Sequence, residues 1–358
     1  MTGSATGDRQ DDTAGSPGGS DGPDLDRPRG GSTEDPPGRR SRRRALLRLR
    51  AWLPWLLGLG VLAWLVARAP LADLVLAVRR GPGLALLGFA AAQLLISFLT
   101  DLWATWIGLR SIGIARPLRE LWFVRAATHL VGLVNFTLGQ GALGVYLART
   151  GCSVLEASLA TFHLVAVSFA TLCLLGGVGS GLGPAAAWPS WLLATPALAL
   201  ALALLTLAVG PKAIRRRVPA AWRERLSPLP LLAAIGARAL NFAVFIGLYW
   251  LALRLWGFDL PILQGIPIVL ALMLVAALPV TPYGVGTVQL GQVLLLSPYA
   301  SGGGPAEREA FVLAFGLIHQ VASVATQAAI GLAGAATWRR RLPAAMGSRG
   351  EAAGGRRE

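Results

Sequence analysis

The amino-acid sequence predicts an all-α polytopic membrane protein with about six full spans, two re-entrant hairpins and an inverted repeat. Hydrophobic residues make up 54% of the 358 positions and charged residues only 14%, whereas soluble domains hold about 25% charged residues. Several apolar stretches reach the roughly 20 residues that a helix needs to cross a bilayer. Arginine runs stand at the ends of these stretches, where the positive-inside rule places cytoplasmic loops.

The chain begins with a polar segment, residues 1–44, which is rich in Gly, Pro, Ser, Asp and Arg. Such a composition cannot bury enough apolar surface to offset the entropy of ordering, so we expect a disordered tail. Its final basic run, Arg39–Arg44, lies next to the first span and places the tail in the cytoplasm. Residues 341–358 have the same character, and we expect a second disordered cytoplasmic tail. The transmembrane domain then covers residues 45–340 and lies in the cell membrane.

Eight apolar segments lie between the tails. They are residues 51–69, 83–109, 120–147, 154–180, 188–210, 229–256, 260–296 and 309–337. The basic loops at 110–119, 211–225 and 338–341 are expected to be cytoplasmic. All three loops share one side with the first tail only if segments 120–147 and 260–296 each enter and leave the membrane on the same side.

Both of these segments contain helix breakers. The first has VNFTLGQGALG at residues 134–144 and the second has PVTPYGVGTVQLG at 279–291. Irregular backbone is tolerated at membrane depth only where protein or a water-filled cavity covers it. One hairpin would enter from each face, which is typical of an inverted-topology repeat whose broken helices meet near the midplane. The alternative is a loop that emerges into solvent between two ordinary spans.

The broken helices predict a binding site. A half-helix beginning near Gly286 would direct free N–H groups and its positive dipole end inward, which favours an anionic group such as a lipid phosphate. Polar and glycine residues of the two hairpins are the candidate binding residues: Asn135, Thr137 and Gln140 in the first, and Thr281, Tyr283, Gly284, Gly286, Gln289 and Gln292 in the second.

Ionisable residues within the spans are a further indication of a binding site. Such residues are costly in a bilayer and are usually functional or paired. Arg125 and Arg238 are candidate substrate-binding residues, and Asp101 could neutralise either of them. Arg125 shares a helix face with His129, four residues later. The alternative for the arginines is snorkelling to a nearby interface. The histidines are more often packing residues than proton relays.

Several other classes of function are not favoured. The net charge of +15 could indicate nucleic-acid binding, but the arginines lie at the ends of spans, where topology and anionic lipids explain them. Cys152 and Cys173 have no metal-site spacing, and GVG at 284–286 lacks the context of a dinucleotide site. We therefore expect no nucleic-acid partner, no metal, no cofactor and no enzymatic activity.

A family resemblance appears in the second hairpin. LPVTPYGVGTVQ at 278–289 is similar to the LPxxPGGxGxxE element in the flippase-like transmembrane domain of the lysylphosphatidylglycerol synthase family. Gln289 stands where that element usually has Glu, and Tyr283 stands where it has Gly. The resemblance covers roughly residues 45–340.

The first hairpin carries the other part of the resemblance. Arg125 followed by VNFTLGQGALGVYLAR resembles the family's Arg…N…P-x-x-GE-x-x-R stretch. Gly141 matches this pattern, whereas Ala142 and Val145 stand where Glu and Arg are expected. The two departures affect the charged positions of the pattern.

The resemblance implies movement of phospholipids or similar anionic amphiphiles between leaflets, with membrane phospholipids as partners. In full-length synthases this domain is similar to a flippase for aminoacylated phosphatidylglycerol. We expect no aminoacylation here, because the chain ends about 20 residues after its last span. Self-association and a separate lipid-modifying enzyme as partner stay open.

Two other functions remain as alternatives. One is an ion channel or small-solute transporter in which the TPYGVG carbonyls line a path. The other is a membrane-embedded accessory of a lipid-linked glycosyltransferase, which would need carboxylates clustered near an interface. The carboxylates of this sequence are scattered instead.

Overall fold

The computed structural model describes residues 37–134, 136–182, 228–277 and 281–354. The chain divides into two units, Met1–Arg48 and Leu49–Glu358, and the contacts between helices described below lie within the second. Every regular element among the described residues is helical, which confirms the predicted all-α class. The helices are α1 (Pro37–Arg68), α2 (Leu71–Arg80), α3 (Gly83–Ser111), α4 (Leu118–Val134), α5 (Phe136–Arg149), α6 (Val154–Leu182), α7 (Pro228–Trp256), α8 (Ile262–Ala277), α9 (Thr287–Leu296) and α10 (Pro305–Gly354).

Four of these helices are long and apolar enough to cross a membrane, which confirms the prediction of a multi-pass membrane protein. Their candidate spans are Gly83–Ser111, Val154–Gly176, Leu229–Trp256 and Pro305–Thr337. The apolar segment at 188–210 and the basic loop at 211–225 lie outside the described residues. Helical backbone reaches Pro37 and Gly354, so it extends into both segments predicted to be tails.

The chain bends sharply after its first apolar segment. Trp52–Arg68 and Leu71–Arg80 form a helix pair bent by 92°, and only together are they long and apolar enough to cross a membrane. The second helix, α2, lies between the predicted apolar segments 51–69 and 83–109. Pro70 and Pro82 flank it, and these prolines set its two boundaries because each fixes its own φ and lacks an N–H.

Helices α4 and α5 pack as an antiparallel hairpin. The Tyr146 hydroxyl donates to Glu120 Oε2 at 3.1 Å near one end, and a Cβ on Gly139 would lie 3.0 Å from Gly132 Cα near the other. The helices have 17 and 14 residues, or about 26 and 21 Å, whereas a bilayer core is about 30 Å thick. Leu118 and Arg149 therefore lie at the same end of a hairpin whose arms are short.

The break in this hairpin is shorter than the sequence predicts. α4 ends at Val134 and α5 begins at Phe136, so the GQGALG segment is helical. Two of its glycines provide close packing instead of breaking the helix: a Cβ on Gly139 would lie 3.0 Å from the Thr128 carbonyl oxygen, and one on Gly144 would lie 2.8 Å from Thr161 Oγ1.

Helices α8 and α9 form the second antiparallel hairpin. A Cβ on Gly291 would lie 3.2 Å from Leu272 Cδ2, and the Asp259 N–H donates to the Tyr299 carbonyl at 3.0 Å at the open end. The break includes the turn Pro282–Gly284, as the prolines and glycines predict. Both hairpins thus return to the end at which they begin.

Helix α10 contacts α4 through two glycines. A Cβ on Gly334 would lie 2.4 Å from Ala126 Cβ, and one on Gly331 would lie 2.7 Å from Leu130 Cβ. Small residues allow such close approach between membrane helices, where packing replaces the hydrophobic effect as the driving force.

Replacing Gly334 with Leu is expected to push α10 away from α4 and to lower the free energy of unfolding by roughly 1–3 kcal/mol, the usual cost of overpacking. Thermal unfolding in detergent, followed by tryptophan fluorescence, measures the change. Gly236→Leu is the matched control, because a Cβ at Gly236 meets no atom within 4 Å. Equal shifts for the two variants would contradict the tight contact.

Candidate functional site

A charged cluster links the central regions of three helices. Asp101 on α3 accepts from Arg125 Nε at 2.9 Å and from Arg125 Nη2 at 2.7 Å, both on Oδ2. Its other oxygen, Oδ1, accepts from Arg238 Nη1 on α7 at 2.6 Å. Each arginine side chain is only 8% exposed. Asp101 therefore neutralises one of two buried guanidinium groups, and the cluster keeps one formal positive charge.

Two further side chains surround this cluster. Asn241 Oδ1 accepts from Arg238 Nη1 at 3.2 Å, and Asn241 Nδ2 donates to Thr100 Oγ1 at 2.8 Å. His129 Nε2 lies 3.6 Å from Asp101 Oδ2, which is too long for a hydrogen bond. The asparagine fixes Arg238 against α3, so this arginine has less freedom than Arg125 to meet a ligand.

A cavity of about 380 Å³ lies beside the cluster, within the range of small-molecule sites. Arg125 lines it from α4, together with Thr128, His129 and Gln140 of the first hairpin. The central residues of three candidate spans line it as well: Leu94 of α3, Phe242 of α7 and His319 of α10. The cavity therefore lies at mid-depth of these spans.

The cavity has an apolar part and a polar part, and the two parts are formed mainly by different segments of the chain. The apolar part includes Phe169 and Leu172 of α6, Phe242 and Phe245 of α7, and Val269, Leu272 and Met273 of α8. The polar part comes mainly from α10 and the second hairpin, with His319, Gln320, Ser323, Gln327, Thr281, Tyr283 and Gln292. Such a cavity is suited to a molecule that has both an apolar and a polar end.

Hydrogen bonds hold most of the polar part in place. Gln292 Nε2 donates to the Tyr249 hydroxyl at 2.6 Å, and Gln327 Nε2 donates to the Tyr283 hydroxyl. His319 Nε2 lies 3.2 Å from Gln93 Oε1, with the ring nitrogen as donor. These bonds restrict the side chains to one arrangement, which is the preorganisation that a binding site needs.

The turn of the second hairpin is stabilised by its own side chains. Gln289 Oε1 accepts from the Gly286 N–H at 2.7 Å, and the hydroxyls of Thr281 and Thr287 are 2.9 Å apart. Gln289 therefore caps the start of α9, and the N–H of Gly286 is not free for an anion. A glutamine suffices for this role, because a cap needs only an acceptor oxygen.

The candidate residues from the sequence fall into three groups in the structure. Arg125, Gln140, Thr281 and Tyr283 line the cavity together, and Arg238 joins Arg125 through Asp101. Gly284, Gly286 and Gln289 are not among the lining residues and instead form the turn. Asn135 lies outside the described residues.

The sequence analysis missed the polar residues that α10 contributes. Three of them, Gln320, Ser323 and Gln327, are spaced by three and four positions and therefore share one helix face. Polar residues at this spacing within an apolar span could have predicted a polar face on α10. The described residues include no group of three His, Cys, Asp or Glu side chains that could hold a metal ion.

Comparison with known proteins finds no family model that matches this chain and no significant match among curated proteins.

Proposed function

We propose that this chain translocates phospholipid, or a related anionic amphiphile, between the leaflets of the cell membrane. The observation that carries the proposal is the amphipathic cavity at mid-depth of the spans, with Arg125 among its lining residues. An uncompensated guanidinium is costly inside a membrane. A lipid phosphate in the cavity would balance it, while the apolar side chains would accept the acyl chains.

The proposed topology has six full crossings and two re-entrant hairpins related by an inverted repeat, with both termini in the cytoplasm. The antiparallel packing of α4 with α5 and of α8 with α9 supports it, because each hairpin begins and ends on one side. Both hairpins also contribute lining residues, Gln140 from the first and Thr281 from the second. Cavities between inverted, broken helices are the usual substrate sites of such transporters.

The resemblance to the flippase-like domain of the lysylphosphatidylglycerol synthase family is part of this proposal. The two stretches that carry it, around Arg125 and around Tyr283, both supply lining residues. Arg125 and Tyr283, 158 positions apart in sequence, therefore line one cavity, which is the arrangement expected when the two stretches share a function.

A channel through the TPYGVG segment is less well supported, because several of its carbonyls accept hydrogen bonds within the turn. The Thr281 carbonyl accepts from Gly284 N at 3.2 Å, and the Pro282 carbonyl accepts from Val285 N at 3.1 Å. The Gly286 carbonyl accepts from Leu290 N at 2.9 Å. Carbonyls that close a turn are not available to coordinate a passing ion.

The test is lipid scrambling in vesicles that contain the purified full chain and a fluorescent phosphatidylglycerol. A quencher added outside the vesicles reaches only the outer leaflet, which holds about half of the fluorescent lipid. With the wild-type protein, more than half of the fluorescence should be lost, because lipid from the inner leaflet moves outward. Arg125→Gln should slow the movement by about 10- to 100-fold, corresponding to a lost charged hydrogen bond of 1.5–3 kcal/mol. The variant should still fold, because Asp101 keeps Arg238 as its partner at 2.6 Å.

Arg254→Gln is the matched control for this experiment. Arg254 is 44% exposed and pairs with the fully accessible Asp259 near the end of α7, so its removal should leave the rate unchanged. Wild-type quenching that stops at half, with the protein inserted and folded, would contradict translocation of this lipid. Equal losses for the two variants would contradict the assigned role of Arg125.

A further inference from the structure

The charge of the cluster limits the charge of the ligand. Asp101 leaves one of the two guanidinium charges of Arg125 and Arg238 uncompensated. A phosphodiester carries one negative charge and would bring the buried sum to zero. A doubly ionised phosphomonoester would leave an unpaired negative charge, and buried unpaired charges are strongly unfavourable.

Arg125 has the geometry to meet such a phosphate. Its Nε and Nη2 atoms are bound to Asp101. Nη1 makes only a 3.5 Å contact with Gln140 Oε1, which is at the limit of hydrogen-bond length. Nη1 is therefore the donor that remains for a phosphate oxygen, and the Gln140 amide lies beside it.

The described lining of the cavity offers no anionic partner to a headgroup cation. None of the described side chains that line it is an aspartate or a glutamate. Asp101 already accepts from both arginines, and the Phe242 ring already faces the Arg238 guanidinium at 5.9 Å. An ammonium group placed here would face Arg125 without a counter-ion.

Apart from Arg125 and two histidines, the polar side chains of the lining are amides and hydroxyls, which suit uncharged hydroxyl groups. Amides and hydroxyls both donate and accept, as alcohols do. Gln320 lines the cavity, and its Nε2 atom has no hydrogen-bond partner within the described part of the chain. A headgroup hydroxyl would satisfy this donor, whereas a headgroup without hydroxyls would leave it unpaired at a cost in affinity.

We propose that the cavity selects a monoanionic phosphodiester lipid whose headgroup is uncharged and bears hydroxyls. This selectivity rests on the proposed function. Phosphatidylglycerol has this chemistry. Its aminoacylated, cationic derivative does not, so the selectivity is opposite to that expected of a carrier for aminoacylated lipid. Arg125 donates a hydrogen bond to the phosphate, and the side-chain amides of α10 bind the headgroup.

A binding experiment separates this selectivity from transport. The full chain in detergent is titrated with four short-chain lipids, and the rise in its unfolding midpoint gives the affinity, since ligands stabilise the state that they bind. The probes are phosphatidylglycerol, phosphatidylmethanol (one negative charge, no hydroxyl), phosphatidylethanolamine (zwitterionic) and lysylphosphatidylglycerol (net cationic). Phosphatidylglycerol should bind about tenfold more tightly than phosphatidylmethanol, the effect of one or two lost hydrogen bonds. The two lipids with an ammonium group should bind still more weakly.

Two variants assign the selectivity to this cavity. Gln320→Leu should reduce the affinity for phosphatidylglycerol to that for phosphatidylmethanol, while Arg125→Gln should weaken the binding of both lipids to the same extent. Gln264→Leu is the matched control, because Gln264 lies in the first turn of α8 and does not line the cavity. Its affinities should equal those of the wild type.

The outcomes distinguish the two proposals. Equal affinities for all four lipids, or the highest affinity for lysylphosphatidylglycerol, would overturn the selectivity even if vesicles show lipid movement. Selective binding that neither variant changes would overturn its assignment to this cavity. Selective binding by a protein that moves no lipid in vesicles would support the selectivity and overturn translocation.

Discussion

Replacing Asp101 with Asn is expected to lower the free energy of unfolding by about 3–5 kcal/mol, the cost of removing one partner from a buried ion pair. The substitution keeps the size of the side chain but leaves the guanidinium groups of Arg125 and Arg238 without a counter-ion. Both arginine side chains are only 8% exposed, so solvent compensates little for the lost carboxylate. Thermal or denaturant unfolding in detergent, followed by tryptophan fluorescence, measures the loss.

The triple variant Asp101→Asn, Arg125→Gln, Arg238→Gln is the decisive control. It removes every charge of the cluster, and replacing a whole buried ion pair or triad is often neutral or stabilising. Most of the lost stability should therefore return. A single Asp101→Asn variant that loses less than about 1 kcal/mol, as an exposed pair would, would contradict the buried cluster.

Replacing Gly286 with Ala is expected to displace the start of α9. Gly286 has φ of +81° and ψ of −51°, a sparsely populated backbone region that costs residues with a Cβ at least roughly 1–2 kcal/mol. The added Cβ would also lie 2.2 Å from the Gly58 carbonyl oxygen on α1. Overpacking adds about 1–3 kcal/mol, so the two effects together should lower the free energy of unfolding by roughly 2–5 kcal/mol. The unfolding midpoint in detergent measures this change.

Gly60→Ala is the control for this second substitution. It lies on α1, two residues after Gly58, and a Cβ there meets no atom within 4 Å. Its unfolding midpoint should equal or exceed that of the wild type, because alanine is favoured over glycine inside a helix by roughly 0.5–1 kcal/mol. If Gly286→Ala also matched the wild type, the close approach of the turn to α1 would be wrong.

The helix break of the second hairpin was predictable from sequence because Pro282, Gly284 and Gly286 act locally. A proline lacks the N–H of an interior helical position, and glycine accepts positive φ at little cost. The pairing of Asp101 with the arginines was predictable only as an alternative, since sequence does not show which helices adjoin α3. The structure shows that Asp101 pairs with both.

Other features depend on tertiary packing and were not predictable. The glycines of α5 remain helical because Gly139 and Gly144 allow close contact with Thr128 and Thr161, and a glycine that packs looks the same in sequence as one that ends a helix. The hydrogen bond that Gln289 makes was not predictable either. Its amide caps the Gly286 N–H, which depends on the fold of the turn and not on the type of residue.

The shared contact of Asp101 with α4 and α7 has a consequence for how the chain enters the membrane. During synthesis α3 emerges before α7, because Arg238 lies 137 positions after Asp101. An arginine at the centre of a helix costs about 2.5–3.5 kcal/mol at the translocon, so α7 gains a partner for its arginine only if α3 is still nearby. We therefore expect α3 to stay next to the insertion machinery until α7 is inserted. Asp101 would then be important for membrane insertion as well as for the finished site.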